Sequence, residues 1–155
     1  EHIGRPLSAV RRLDDIAIEV AVRYVGRCAE QSAPHRLALP AQLTASGRAI
    51  LAALPSRQVR ALFPDRSAFA DRHGNGPTSP NALRTLLAET RQRGLALENG
   101  EVTPGLASVA APVLDHNEHP VAGVAVTHPV EETPTGLEEA VRRTAALITR
   151  RLRGR

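Results

Sequence analysis

Lysine, methionine and tryptophan are missing from this 155-residue chain, and its only aromatic rings are Tyr24, Phe63 and Phe69. Any core must therefore be assembled from Leu, Val, Ile and Ala, and a core of small side chains leaves room. A single cysteine, Cys28, excludes an internal disulfide framework and fits a reducing compartment. No apolar run approaches the roughly 20 residues of a membrane-spanning helix, and the N-terminus lacks a signal peptide's apolar stretch. A cytoplasmic location without a membrane partner is expected. The first residue is Glu1 and no methionine occurs, so the chain is expected to be a segment of a longer protein.

Motifs for chemistry are also lacking. There is no G-x-S-x-G elbow, no phosphate-binding glycine loop, and no serine or cysteine with an evident base and orienting carboxylate. An enzyme is not expected, and no cofactor or metal is called for. His116 and His119 form an H-x-x-H pair, but they fall in a turn-rich stretch beside Asp115 and Glu118. Without a helix to hold them or a third distant ligand, they give a weak zinc signal. The formal charge of +4 comes from one place, since residues 142 to 155 hold six arginines and no acid, leaving the rest net acidic. With no helix-turn-helix, zinc finger or base-reading stripe in view, direct DNA binding by this chain is not expected.

What is present suits one folded domain over residues 1–155, with 42% hydrophobic residues. Leu7, Val10 and Leu13 have helical spacing, and "IAIEVAVRYVGRC" is rich enough in β-branched residues for one or two strands. "HRLAL" reads as a short strand ending at Pro40. A helix follows in "LTASGRAILAALP", with Thr44 or Ser46 as cap, Ile50, Leu51 and Leu54 as its apolar side, and Pro55 as its stop. "SRQVRALF" predicts a second short helix, and residues 65 to 79 a mobile, turn-rich loop. Ser79 as cap, Pro80 in the first position, the stripe Leu83, Leu86, Leu87 and a terminal Gly94 punctuate a third. Strands are expected at "LALE", "LASVAAPVL" and "VAGVAVTHP", the last two forming a hairpin across "DHNEHP". The final helix is expected at about 135 to 152, with Leu137, Val141, Ala145, Ile148 and Leu152 on one face. Glu138 and Glu139 in its first turn and Arg150 and Arg151 in its last complement the helix dipole. The order predicts an α+β fold: an antiparallel sheet with helices packed mainly on one face.

Strand alternation then points to a site. Ser108, Ala110 and Pro112 share one face of their strand, and Gly123, Ala125 and Thr127 one face of the next, while the opposite faces carry Val109, Ala111, Val113, Val124 and Val126. If the two stunted faces lie together, the layer above them is under-filled. Either a helix packs unusually close there, or a cavity for a small molecule remains. The small first turn at Thr44 to Gly47 suits a cavity, because unobstructed N–H groups at a helix start receive a carboxylate, although ordinary capping also explains it. Glu98 is either a solvated strand end or, pointing inward, an acceptor for a ligand hydroxyl or water. His128 faces either the cavity or solvent.

Three separated blocks, A-x-G-[KR]-A-x-L-A-x-L-P at residues 45 to 55, R-x-R-G at 91 to 94 and P-G-x-x-x-V-A-A-P-V at 104 to 113, carry a resemblance. Over about residues 34 to 152 the chain resembles the effector-binding domain of IclR-type transcription regulators. The resemblance implies a GAF-like fold, a pocket for a small organic acid, aromatic or short and oxo-substituted, and self-association into dimers or tetramers. It also implies DNA control through an N-terminal winged helix-turn-helix that this chain does not include. By position it places Ala45, Ser46 and Gly47 against the ligand carboxylate and Leu39 as an apolar wall. Glu98 falls where the family often has Asp, Ser108 where it often has Cys, and Ala125 and Thr127 where two serines can contact ligand. Gln42 replaces a frequent His and His128 a frequent Gly, so no relative's ligand transfers directly. An oligomerisation module with a filled pocket and an enzyme on the same fold remain the alternatives.

Overall fold

The computed structural model describes residues 17–18, 23–24 and 39–154. The helix read at Leu7 to Leu13, most of the strand region 16 to 28 and Cys28 lie outside them. Short strands β1 (Ala17–Ile18), β2 (Arg23–Tyr24) and β3 (Leu39–Pro40) precede helices α1 (Ala45–Ala53) and α2 (Ser56–Leu62). A 3-10 turn at Arg66–Ala68 leads to α3 (Pro80–Arg93), strands β4 (Ala96–Asn99), β5 (Leu106–Leu114) and β6 (Pro120–Pro129), and α4 (Leu137–Leu152). The main sheet has the order β2-β6-β5-β4. Its β4-β5-β6 part is antiparallel as predicted, whereas β2 joins the β6 edge in parallel. A separate antiparallel pair joins β1 to β3.

Local chemistry sets the element ends. Thr44 caps α1, its Oγ1 accepting the Gly47 N–H at 2.9 Å. Ser79 caps α3 in the same way, Pro80 opens it, and Gly94 closes it at φ 73°, a left-handed position that glycine occupies without a Cβ clash. In the β5–β6 turn, one Asp115 oxygen accepts the N–H groups of both Asn117 and His119. His116 is exposed on that turn and His119 half-buried.

The two faces of β4-β5-β6 are dressed differently. One carries Leu95, Val109, Ala111 and Val113, against which α4 sets Leu137, Val141 and Ala145 at four-residue spacing. Ile148 and Leu152, which share that helical face, stand 38% and 52% exposed. The opposite face carries a row of alanines, Ala96, Ala110 and Ala125, in direct cross-strand register. Ala45 and Ala49 of α1 pack on it. On the far side of α1, Leu51, Ala52 and Leu54 meet Phe63, Leu83 and Leu87, so α1, α2 and α3 form one layer and α4 the other. The loop before α3, read as mobile, is tied down: the Phe69 ring lies 5.1 Å from that of Phe63, and the Gln42 amide donates to the Ala70 carbonyl at 3.1 Å.

Contact at α1 is closer than ordinary side chains allow. A Cβ on Gly47 would stand 2.2 Å from the Ala41 carbonyl oxygen, and one on Gly123 3.1 Å from the Ser46 Cβ. Gly47 is thus a steric requirement of the chain at Ala41, which passes against the side of α1 turned away from the sheet. Gly47→Ala should destabilise the fold by about 1–3 kcal/mol, because overpacking against backbone outweighs alanine's helix preference of about 1 kcal/mol. Gly123→Ala, whose nearest contacts are the Ser46 Cβ at 3.1 Å and Ser46 backbone atoms at 3.4 Å, should cost less. Denaturant unfolding midpoints of the two variants check the order.

A candidate small-molecule cavity

Next to the alanine row lies a second inward row, one step along each strand. Glu98 stands opposite Ser108, and Ser108 opposite Thr127. Here α1 begins, so no helix covers the row, and a cavity of about 70 Å³ remains. That is several times the roughly 10–15 Å³ needed by one water. Both sequence readings of the stunted faces therefore hold in different places: the helix packs close over the alanines, and space is left over the polar row.

Seven of the eight residues read from the sequence come together at this cavity. Leu39, Ala45, Ser46, Glu98, Ser108, Ala125 and Thr127 line it. Gly47 does not; its N–H is spent on Thr44 and its Cα faces Ala41. Glycine at a helix start has two uses, room for a ligand and room for backbone, and sequence alone does not separate them. His128 faces neither cavity nor solvent: it is buried, with Nδ1 2.7 Å from the Pro129 carbonyl oxygen.

The rim was not visible in the sequence. The α1 cap Thr44, Val102 and Thr103 in the β4–β5 connection, and Leu106 complete the lining, and this connection is held at three points. The Val102 N–H donates to Glu98 Oε1 at 3.0 Å, the Val102 carbonyl lies 3.2 Å from His73 Nε2, and Glu101 meets Arg48. Arg48 is buried, and no local pattern marked it. It donates to the Gln42 and Leu97 carbonyls, each at 2.8 Å, and its Nη2 lies 2.8 Å from Glu101 Oε1 as a contact of charge, off the line of a hydrogen bond. Arg48 thus joins the start of α1, strand β4 and the rim.

Electrostatically the walls differ. The first turn of α1 presents the Ala45 and Ser46 N–H groups, which have no intrahelical acceptor, at the positive end of the helix dipole. Across from it, Glu98 is 4% exposed. Burial, the largest influence, pushes its carboxyl above the usual carboxylate range, and bonds from Val102 and Ser108 offset part of the rise. A carboxyl raised in the folded state favours folding most when protonated, so its contribution is full at low pH and fades as pH climbs through the raised value. Glu98→Gln should match the parent chain in acid and become progressively more stable than it as pH rises past the ordinary carboxylate range. Urea titrations across pH check this; parallel curves would show that the buried carboxylate carries no penalty.

Comparison with known proteins follows the same outline. The family model for the bacterial transcriptional regulator IclR C-terminal region matches residues 31–150. The glycerol operon regulatory protein of Streptomyces coelicolor is 36% identical over 119 residues, 73% of this chain and 46% of that protein. The transcriptional repressor IclR of Escherichia coli is 33% identical over 99 residues, 64% of this chain and 36% of that protein. The crystal structure of the Thermotoga maritima IclR superposes with a TM-score of 0.68 at 30% identity, covering 80% of this chain and 53% of that one. The chain spans about half the length, or less, of the curated relatives it matches, and those relatives are regulators of transcription, not enzymes. With that match running from before β3 almost to the end of α4, the chain belongs to the IclR family and is its C-terminal domain.

Proposed function

We propose that this domain senses a small organic acid and that binding shifts the arrangement of associated copies, and so of DNA-binding domains attached to them in the cytoplasm. One observation carries the reading: a cavity lined by Ala45 and Ser46 at the α1 start together with a buried carboxylate and two hydroxyl side chains. Backbone donors and a helix dipole suit the ligand's carboxylate, Leu39, Leu106 and Ala125 supply an apolar wall, and Glu98, Ser108 and Thr127 supply hydrogen bonds. For regulation the ligand must bind the two arrangements unequally, since equal affinity shifts nothing. Self-association into dimers or tetramers has support in the apolar end of α4, where Leu147, Ile148 and Leu152 are exposed.

A thermal-shift screen of short and aromatic organic acids, one at a time, tests the reading. An acid at 100 times its Kd should stabilise the domain by about 2.7 kcal/mol. Ser46→Leu and Thr127→Leu, which fill the cavity from opposite walls, should each abolish the shift. A domain that no acid stabilises, or variants that bind a hit as tightly as the parent, would remove the sensor reading.

A further inference from the structure

Volume separates the acids that the chemistry of the cavity admits. The space measures about 70 Å³, and among the described residues no aromatic ring lines it. A protein cavity that takes up a benzene ring measures about 150 Å³, and a water's share of the liquid is about 30 Å³. The space here is about half the former, enough for a carboxylate and about one or two carbons but not for a carboxylate and a ring. Nor are its walls free to retreat. The start of α1 is held between β6, on which Ser46 rests at Gly123, and the chain at Ala41, which fills the Cβ direction of Gly47. The floor is the sheet itself, where Ser108 stands opposite Thr127 with the two hydroxyl oxygens 3.0 Å apart. The rim is fastened by the Val102 N–H on Glu98 Oε1, by the Val102 carbonyl near His73, and by Glu101 on the buried Arg48. A close-packed surround answers an oversized group with strain.

Building on the reading of this cavity as an organic-acid site, we infer that it takes short aliphatic acids, of about two or three carbons, and excludes acids whose carboxylate is joined directly to an aromatic ring. With the carboxylate at the first turn of α1, the ring of a benzoate has to occupy the space immediately beside it. Glu98, Ser108, Ala125 and Thr127 already bound that space. A longer linear acid has another course, since the end of its chain can stay outside the cavity. Methylenes left there are not buried and add nothing to affinity. Leu39 and Leu106 are the largest apolar side chains of the lining, and both are half-buried. They set the limit on size, and shortening one of them raises it.

Calorimetry on the purified chain with acetate, propionate, pyruvate, hexanoate and benzoate tests this. The best of the three short acids should bind roughly tenfold tighter than benzoate or more, although benzoate has the larger apolar surface to bury. Hexanoate should bind about as well as propionate, without the roughly fourfold gain per methylene that burial would bring. Leu106→Ala should raise the affinity for benzoate about tenfold and leave acetate nearly unchanged, a gain that mere loss of packing cannot produce. Benzoate binding the parent chain as tightly as the best short acid, or hexanoate gaining with each methylene, would overturn the size limit and leave the sensor reading standing. Failure of all five acids to bind would overturn this inference together with the organic-acid reading on which it rests. The ranking in the parent chain needs no variant, so a substitution that fails to fold does not affect the outcome.

Discussion

Close contact between α1 and the alanine row is the constraint on which the domain depends. Ala45 and Ala49 reach Ala96, Ala110 and Ala125 because no side chain on either surface extends beyond a methyl group. Interiors are packed nearly as densely as organic crystals, so a surface of methyl groups must be met by a backbone brought close. Bringing α1 down requires glycine where Ser46 touches β6, while Gly47, on the side of α1 turned away from the alanines, makes room for the chain at Ala41. The near absence of large rings from the sequence is thus a geometric condition of the fold. Two of the three rings, Phe63 and Phe69, sit in the outer layer beside α2.

The cavity exists because that contact stops. α1 is only nine residues long and begins over the edge of the alanine row, so the next row towards the strand ends has nothing above it. Placing polar residues there has a physical logic: a row of alanines would leave a dry void, whereas a carboxylate and two hydroxyls bind water or ligand. One helix therefore both seals the sheet and borders a binding space, with Ala45 in its first turn taking part in both. The opposite face is filled by Val109, Val113, Leu137 and Val141.

Much of this was legible in the chain. Alternation in "ASVAAPVL" and "VAGVAVTH" fixed which side chains share a face, and the hairpin fixed which strands pair, so the inward rows could be named before the register was seen. Ser79, Pro80 and Gly94 marked α3 because capping and left-handed φ are local properties. The rim was hidden for the opposite reason. Nothing near Val102 or Thr103 says that their loop folds back over β4; that follows from Arg48, distant in sequence, and from a His73 contact made only in three dimensions. Gly47 was misplaced because a small residue reads the same whether ligand or backbone needs the room. Periodicity put Ile148 and Leu152 on the apolar face of α4, but it reports that a face is apolar and not how much of it is covered.

Arg48 gives the architecture an all-or-none quality. Its guanidinium is withdrawn from water, and it is satisfied only when the stretch before α1, the edge of β4 and the rim residue Glu101 are all in place. A lysine ammonium is a compact point charge without the planar fork that reaches several acceptors at once. A partly built cavity would strand a cation in a dry interior, at a cost of several kcal/mol. The stretch before α1, strand β4 and the rim are therefore coupled through one side chain that does not itself line the cavity.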